Sequence, residues 1–510
     1  MGKQTKIQIG EIIHILIGLG IMLFGRMVSP PSMIVESSDR LIKMGLPQVD
    51  GGILLSVTPM GMTVITLFLG VVYLWTFVDT LWPSFLGILL LGMSNYAPMP
   101  AVLKQYFGNP MVVMMFFLFM FASVLVKSNI SVYLARWFMT HPYVQGRPWR
   151  FTAAILLATY FVAFLEQTTA CFLMWPVLYI VLDYVGFKKG DRYVTMMTVN
   201  IVIMALLSFA SDPIKGGAFY LLANLQNLAT KATDLQFVPI NLAAYLLFAI
   251  IISFVCIGVI LLSMRFIFRV DVSPLKRVDM KAINKDQLPP LSTQQKIVIG
   301  LFAFYAAWLL LPGIIGHDNI LGAFMAQNSL GGTLLIIFLV TFLRVDGKPV
   351  AEIQEVGKVY PWRTFFLIAT AFLLGGAMSS KGTNITIFME YMLRDHLSGL
   401  GILTLSVVII LLGIIITNFF NSVVAGLVLS PVLLAIANAF GFNPAPVLAC
   451  FFYIVLIAAA TPAGSPFAAM LYDQSDWISK KDVALHASYA SLLVVLVLIV
   501  VGIPLSNVIF

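Results

Sequence analysis

Apolar segments long enough to cross a lipid bilayer recur from one end of the chain to the other. Hydrophobic residues make up 60% of the 510 positions and charged residues only 10%, against about 25% charged residues in ordinary soluble domains. A hydrocarbon core of about 30 Å is crossed by roughly 20 apolar helical residues. Since no stretch is left for a separate aqueous domain, we expect one membrane domain over residues 1–510. Candidate spans lie near residues 8–28, 57–78, 80–95, 109–128, 191–211, 237–268, 295–312, 328–343, 360–380, 444–462 and 483–505.

The distribution of basic residues predicts the orientation of the chain in the membrane. Residues 269–296 and the helix end before them are rich in lysine and arginine, which marks a cytoplasmic loop. The N-terminus carries Lys3 and Lys6 and is expected on the same side, in the bacterial inner or plasma membrane. Because no small-residue cleavage site follows it, the first apolar run is expected to be a retained span. The net charge of +8 is then a result of topology, and no nucleic-acid partner is expected. The charges are Arg265, Arg269, Lys276, Arg277, Lys281, Lys285 and Lys296 against Asp271, Asp279 and Asp286.

The motifs of several enzyme classes are absent from the sequence. There is no Walker A sequence, no Gly-x-Ser-x-Gly, no His-Glu-x-x-His and no Cys-x-x-Cys, which gives no support for ATP-driven transport or for hydrolysis. Cys171, Cys256 and Cys450 all lie in apolar segments and are expected to pack as small hydrophobes. We therefore expect no enzymatic activity and no cofactor, apart from a possible Na⁺.

Two longer apolar segments are interrupted by polar residues. Residues 149–186 and 398–441 are each too long for one crossing and too short for two ordinary ones. Each is expected to form a helical hairpin that enters the membrane and turns back. Irregular backbone at that depth is tolerated only where it is buried in protein or lines a cavity, so the hairpin tips are candidate binding sites; a kinked span with a few interhelical hydrogen bonds is the alternative. The polar interruptions are Glu166-Gln167-Thr168-Thr169 in the first, and Thr417-Asn418 and Asn421-Ser422 in the second.

The two hairpins belong to a duplicated pattern. Lys127 precedes Pro176 by 49 positions, and Lys381 precedes Pro431 by 50. Each hairpin is followed by a span that breaks at small residues and proline, a strong indication of a midplane transport site. We expect a leading span and loop at 1–56, a first repeat at 57–268, the basic loop at 269–296 and a second repeat at 297–510. The breaks are Ser211-Asp212-Pro213-Ile214-Lys215-Gly216-Gly217 and Thr461-Pro462-Ala463-Gly464-Ser465-Pro466.

The predicted fold class is an all-α polytopic membrane protein with about 11 transmembrane helices. An odd number of crossings per unit would make the two repeats inverted, each with a re-entrant hairpin and a broken helix. Helix ends at the breaks leave N–H groups that attract anions, and carbonyl, serine and threonine oxygens that suit Na⁺.

Three charged residues stand within apolar segments. Glu166, Asp212 and Lys215 are costly in a membrane unless they are paired or hydrated. Lys215 is expected to serve as a fixed cation near a substrate carboxylate, or to partner Glu166 or Asp212 in a proton- or cation-coupled relay. The alternative is that these segments lie nearer the membrane interface than their surroundings indicate.

This layout resembles the divalent anion/sodium symporter family, the bacterial relatives of animal sodium-coupled dicarboxylate carriers, across nearly the whole chain. The resemblance rests on the Lys-containing turn, the hairpin with its proline, the broken helix, and the basic loop leading into Leu288-Pro289-Pro290-Leu291-Ser292. The family's tips read Ser-Asn-Thr, whereas the tips here read Glu166-Gln167-Thr168 and Asn421-Ser422-Val423. Both signatures are altered.

The resemblance, together with the charged residues, implies a set of site residues. It also implies a homodimer in which the hairpin-bearing part moves in an elevator-like manner. The expected substrate ligands are Gln167, Thr168, Thr169, Lys215, Asn421, Ser422, Thr461 and Pro462. The expected cation ligands are Glu166, Asp212, Gly216, Thr417, Ser422 and Gly464.

The leading hypothesis is a secondary transporter of a small organic anion, such as a C4-dicarboxylate, coupled to Na⁺ or H⁺. Two alternatives stay open: a Na⁺-independent exchanger in which Lys215 replaces one sodium ion, and a cation/proton antiporter. A receptor that reuses a transporter fold is a more distant hypothesis, and a channel is disfavoured because no filter motif is visible. The sequence leaves open the substrate, the coupling ion, the stoichiometry and the direction of transport.

Overall fold

The computed structural model describes residues 9–25, 27–37, 39–49, 51–141, 143–144, 146–231, 240–277, 289–316, 318–397, 401–419, 421–462, 464–474 and 476–510. Lys3 and Lys6 at the predicted cytoplasmic N-terminus lie outside the described residues, as does the middle of the predicted basic loop with Lys281 and Lys285. The described chain is almost entirely helical, with a short antiparallel sheet before the third helix. Its strands β1 (Ser32–Val35), β2 (Gln48–Val49) and β3 (Gly52–Ser56) lie in the order β1-β3-β2, with Ser32 paired to Ser56.

The helices follow in two series, with a second small hairpin, β4 (Arg344–Val345) and β5 (Lys348–Pro349), in the later one. The first series is α1 (Ile9–Phe24), α2 (Asp39–Lys43), α3 (Pro59–Phe77), α4 (Trp82–Gly92), α5 (Met99–Phe107), α6 (Pro110–Lys127), α7 (Ile130–Thr140), α8 (Pro148–Leu165), α9 (Gln167–Val185), α10 (Arg192–Ser211), α11 (Gly217–Lys231) and α12 (Leu242–Leu262). The second series is α13 (Thr293–Ile315), α14 (Ile320–Gln327), α15 (Ser329–Phe342), α16 (Ile353–Val359), α17 (Trp362–Met378), α18 (Ile385–Leu397), α19 (Ile402–Phe419), α20 (Ser422–Phe440), α21 (Ala445–Val455), α22 (Pro466–Tyr472), α23 (Lys480–Val497) and α24 (Ile503–Ile509).

The number of membrane-spanning helices agrees with the prediction from the sequence. Within the described residues, nine helices are long and apolar enough to cross a bilayer, or up to 11 if two bent pairs, α14–α15 and α16–α17, each count as one span. Three expected spans are shorter than predicted. The apolar run at 8–28 forms the 16-residue helix α1. The apolar runs at 80–95 and 444–462 form the 11-residue helices α4 and α21.

Both predicted hairpins are present. In the first, α8 ends and α9 begins at Glu166, whose extended backbone (φ −165°, ψ 123°) interrupts the helical path. Gly186, in the left-handed region at φ 87°, ends α9. In the second, α19 ends at Phe419 and α20 begins at Ser422. The polar interruptions in the sequence therefore mark the turns of both hairpins.

Backbone geometry confirms the internal duplication. Asn129 and Asn384 both adopt the left-handed conformation at φ 54°, each directly before a helix, α7 or α18. These two residues are 255 positions apart, as are the tip residues Glu166 and Asn421. The stretch from Asn129 to the end of α9 therefore has the same length as the stretch from Asn384 to the end of α20.

The two repeats run in opposite directions. The last helix of the first repeat, α12, is extended by a π-helical turn at Ser263–Ile267, and a second π-helical turn at Leu498–Gly502 joins α23 to α24. The ring of Phe268, past the end of α12, lies 4.8 Å from that of Tyr489 in the middle of α23. The ring of Phe248, near the start of α12, lies 5.9 Å from that of the C-terminal Phe510. These equivalent helices are thus antiparallel, and the fold class is the predicted one with two inverted repeats.

The centre of the molecule is formed by the helices that carry the breaks. Every residue of α10 from Tyr193 to Ser211 is buried, and so is every residue of α21. The interrupted backbone beyond these helices is therefore enclosed by protein, as an irregular segment at membrane depth must be. Asp212, in the first break, is only 1% exposed.

Candidate transport site

The first break is held by a single carboxylate. α10 ends at Ser211, and Oδ1 of Asp212 accepts hydrogen bonds from the N–H groups of Ile214 (2.9 Å) and Lys215 (3.2 Å). These bonds satisfy donors that the interrupted helix leaves free. A Cβ atom at Gly216 would lie 2.7 Å from Cβ of Asp212, so the turn requires glycine at this position.

Lys215 and Asp212 form a buried ion pair. The Nζ of Lys215 lies 3.5 Å from Oδ2 of Asp212, and the two side chains are 5% and 2% exposed. Buried charges of this kind are stable only when they are paired. The structure thus provides one of the two partners that the sequence suggested for Lys215. The hydroxyl of Tyr220 donates to the Lys215 carbonyl oxygen at 3.1 Å.

The tip of the first hairpin is capped by Glu166. Its Oε1 accepts a hydrogen bond from the N–H of Thr168 at 3.0 Å, and its Oε2 accepts one from the N–H of Thr169. A carboxylate at a helix N-terminus is favoured by the helix dipole. The side-chain nitrogen of Gln167 is buried and has no hydrogen-bond partner in the described part of the chain. A negative charge therefore occupies the position at which a helix N-terminus would attract an anion.

The tip of the second hairpin has the same architecture with a neutral cap. Oδ1 of Asn421 accepts hydrogen bonds from the N–H groups of Val423 and Val424, each at 3.2 Å. Asn421 is the positional equivalent of Glu166. The N-terminus of α20 therefore keeps its partial positive charge, whereas that of α9 is neutralised.

The second hairpin is bonded directly to the second break. The N–H of Ser422 donates to the Gly464 carbonyl oxygen at 2.9 Å, and the hydroxyl of Thr417 donates to the carbonyl oxygen of Val455. Asn418 accepts from the backbone N–H of Ala460 at 2.8 Å through its side chain, and its carbonyl oxygen accepts from the hydroxyl of Thr461. These bonds place Thr417, Ser422, Thr461 and Gly464 together. Pro462 follows Thr461 and is exposed.

The first hairpin lacks this connection. Among the described residues, no hydrogen bond joins 166–169 to 211–217. The position equivalent to Asn418 is occupied by Ala163, which has no side chain to donate or accept. The structure thus groups Asp212, Lys215 and Gly216 in one cluster and Glu166, Gln167, Thr168 and Thr169 at a tip that is not bonded to it.

A polar network that the sequence prediction missed connects the two halves near the breaks. The hydroxyl of Ser253 in α12 lies 2.8 Å from that of Ser211 and 2.6 Å from that of Tyr453 in α21. A Cβ at Gly217 would meet the side chain of Leu456 at 2.8 Å, so the two breaks lie close together. In the sequence, this network is indicated only by a serine or a tyrosine within an otherwise apolar segment. Asn418 gave the same signal within the second hairpin.

Comparison with known proteins decides the family. The family model described as CitMHS, citrate transporter, matches residues 15–425. The chain belongs to the citrate transporter family. This family falls in the same superfamily as the divalent anion symporters, so the resemblance expected from the sequence is confirmed at that level. The family and the structural neighbours are transporters and not enzymes.

Two solved transporters share the fold of this citrate transporter family member. One is the YdaH transporter of Alcanivorax borkumensis, described as having an unusual topology, with a TM-score of 0.57, 13% identity, and coverage of 97% of this chain and 98% of that one. The other is MtrF of Neisseria gonorrhoeae, described among antimetabolite efflux pumps, with a TM-score of 0.56, 14% identity, and coverage of 97% and 93%. A search of curated protein sequences finds no significant match.

The chemistry of this transporter's two break regions differs. At the second break, hydroxyl and carbonyl oxygens predominate, and these are the ligand types that a hard cation such as Na⁺ prefers. At the first break, the ion pair of Lys215 and Asp212 takes this place. Within the described residues, no group of three or more His, Cys, Asp or Glu side chains could hold a metal ion together.

Proposed function

We propose that this protein is a secondary active transporter of a small carboxylate anion, such as citrate or a C4-dicarboxylate, coupled to Na⁺ or H⁺. The observation that carries the proposal is the pair of equivalent helix caps, Glu166 and Asn421. One is charged and the other is neutral, so the two tips have different affinities for an anion. Membership of the citrate transporter family supports a carboxylate as the substrate.

The second tip is the proposed substrate-binding side. A helix N-terminus with a neutral cap attracts a carboxylate. The amide nitrogen of Asn421 makes no hydrogen bond within the described residues, so it is available as a donor. Ser422 follows it and can contribute a hydroxyl group.

The first tip is the proposed coupling side. The Lys215–Asp212 pair carries no net charge, so the charge near the first break comes from Glu166. A carboxylate substrate is repelled by Glu166 until a proton or a cation neutralises it. Binding of the anion and of the coupling ion are then linked, since each increases the affinity for the other.

Uptake into liposomes tests this proposal. The purified protein is reconstituted, and uptake of labelled citrate and of labelled succinate is measured with an inward Na⁺ gradient, an inward H⁺ gradient, or unlabelled substrate inside. Stimulation by an ion gradient supports symport. Absence of carboxylate uptake in every condition contradicts the proposal.

A matched pair of variants identifies the coupling residue. Glu166→Gln retains an oxygen that can accept the cap hydrogen bonds but removes the charge, and we expect uptake to persist with little dependence on the ion gradient. Glu352→Gln, an exposed glutamate, is the control and should behave like the natural protein. An unchanged gradient dependence in Glu166→Gln excludes Glu166 from coupling.

The buried Lys215 favours a second candidate function, Na⁺-independent exchange. A permanently tethered cation could replace a coupling ion, and uptake would then be stimulated only by substrate inside the liposome. We also propose an N-terminus on the cytoplasmic side and a homodimer in which the hairpins and breaks move relative to a fixed remainder. Cross-linking in the native membrane would test the dimer.

A further inference from the structure

A cavity of about 470 Å³ opens beside the first hairpin, away from its tip. It lies between α7, the segment that follows it, and the first turns of α8. Its floor is apolar and includes Ala153, Ala154 and Leu157. Because α8 rises about 1.5 Å per residue, this cavity and Glu166 are at opposite ends of the helix.

A cationic side chain with an unused donor lines this cavity. The guanidinium carbon of Arg150 lies 3.9 Å from the centre of the Tyr143 ring. Its Nη1 atom is buried and has no hydrogen-bond partner among the described residues. A buried charged donor without an acceptor is costly, and guanidinium groups bind phosphate oxygens well. The cavity is therefore lined by the positive charge of Arg150, which favours an anionic group.

The rim of the cavity has the composition of a membrane interface. The side chains of Trp137 and Tyr143 are each 60% exposed, on the outer surface of a membrane protein. Tryptophan and tyrosine are enriched at the level of lipid headgroups, where one part of the ring is in hydrocarbon and the other in water. Both rings thus stand where a phospholipid would contact them.

The same end of the molecule is basic. The guanidinium of Arg265, at the end of α12, lies 5.8 Å from the centre of the Trp149 ring. Arg147, just before α8, and Lys188, just after α9, are exposed. The carboxylates of Asp183 and Asp191 are exposed in the same region of the sequence. Basic pockets between helices on the positively charged side of a membrane protein suit anionic headgroups.

We propose that this cavity binds an anionic phospholipid from the adjacent leaflet. The phosphate accepts hydrogen bonds from Arg150, the rings of Trp137 and Tyr143 border the headgroup, and the apolar floor takes the first methylenes of an acyl chain. The ligand class is a phosphodiester with a net negative charge.

Native mass spectrometry of the full chain, delipidated in detergent, tests this site. Phosphatidylglycerol is titrated against phosphatidylcholine of the same chain length and against inorganic phosphate. We expect phosphatidylglycerol to bind more tightly than phosphatidylcholine and inorganic phosphate to leave bound lipid in place. Equal binding of the two lipids, or displacement by free phosphate, overturns the proposal.

Three variants test whether the lipid binds in this cavity or to basic residues elsewhere on the surface. Arg150→Gln should weaken phosphatidylglycerol binding about tenfold, in line with the loss of a charge-assisted hydrogen bond. Lys188→Gln removes the same charge outside the cavity and should bind as the natural protein does. Tyr143→Ala, at an exposed position that folding tolerates, should weaken binding several-fold, so the proposal can still be tested if Arg150→Gln does not fold. Equal losses in Arg150→Gln and Lys188→Gln, or undiminished binding in Tyr143→Ala, contradict the proposed site.

Discussion

At the residue scale, Glu166 and Asn421 cap equivalent helices with side chains that differ in charge. Both side chains cap the second helix of a hairpin through the same pair of N–H groups, two and three residues further along. The carboxylate brings a full negative charge, whereas the amide brings none. The electrostatic difference between the repeats is therefore independent of the hairpin backbone.

Asn421→Asp is predicted to abolish carboxylate uptake without unfolding the protein. Aspartate caps helices as well as asparagine does, but its charge would repel the substrate, and we expect uptake to fall at least tenfold. Asn421→Ser keeps a neutral cap and should retain more uptake. Liposome uptake and the melting temperature in detergent measure the two effects separately. Equal uptake by the two variants would remove charge at this tip from the explanation.

The Lys215–Asp212 pair makes a prediction about stability. Lys215→Met leaves Asp212 as a buried unpaired charge and should destabilise the protein by about 3–5 kcal/mol. In the double variant Lys215→Met/Asp212→Asn neither charge remains, so the loss should be smaller than in Lys215→Met. Thermal unfolding of the two single variants and the double variant forms the required cycle. Losses that simply add would show that the two charges do not interact.

At the element scale, the second hairpin and the second break are connected by side chains that the first pair lacks. Asn418 is the central residue of this connection, since it accepts hydrogen bonds through both its side chain and its backbone. Its apolar counterpart Ala163 leaves the first hairpin without a similar link. We therefore expect the second hairpin to move together with the second break, and the first hairpin to be less tightly linked to the first break.

Asn418→Ala is predicted to destabilise the second hairpin by about 1–3 kcal/mol, because the Ala460 N–H would be left without an acceptor. Ser406→Ala in the same helix is a suitable control. In the part of the chain that the structure describes, the Ser406 hydroxyl bonds only within α19, to the Ile402 carbonyl oxygen. Hydrogen exchange at residues 455–465 should increase in Asn418→Ala and stay unchanged in Ser406→Ala. An unchanged exchange rate in both would contradict the proposed link.

An exposed ion pair between α6 and α16 predicts a pH dependence. Hydrogen bonds from Lys358 and Lys127 lower the pKa of Glu355 below its ordinary value of 4.5. A carboxyl with a lowered pKa stabilises the fold above that value, and the stabilisation is lost as the pH falls through the lowered pKa. Glu355→Gln should therefore lower the melting temperature slightly at neutral pH but not at a pH below the lowered pKa. An equal difference at both pH values would contradict this assignment.

The sequence predicted the elements better than their connections. Polar residues inside apolar runs located both tips and both breaks, because such residues are costly in hydrocarbon and need a structural reason. The expected full spans at 8–28, 80–95 and 444–462 were wrong in length, since apolar composition cannot distinguish a short helix from a crossing one. The partners of Asn418 and Ser253 were not predictable, because they depend on packing between distant segments.

At the scale of the whole molecule, the antiparallel packing of α12 against α23 determines how the repeats are related. Nearly equal lengths of the two hairpin units could be read from the sequence, but their opposite directions follow from the ring contacts of Phe268 and Phe248. The candidate site was predicted less fully than the fold. Its residues were named from motifs, whereas their division into one bonded and one unbonded tip required the structure.

The inverted arrangement of the two repeats predicts from which side of the membrane three engineered cysteines are accessible. Lys188→Cys and Lys480→Cys should react with an impermeant thiol reagent from one side of the membrane, and Phe442→Cys from the other. The three natural cysteines are buried and should react slowly, which makes them a suitable background. Labelling of right-side-out and inside-out vesicles measures accessibility. All three positions reacting from one side would contradict the inverted arrangement.

The two hairpin units have equal lengths, and helix length determines the direction in which each tip faces. Each residue of an α-helix turns its successors by about 100°. A single insertion in α8 or α19 would therefore turn the whole tip, with the capping side chain and the N–H groups that it serves, relative to the helix breaks. The two tips differ in the charge of the cap, whereas a difference in length would change the direction in which the tip faces.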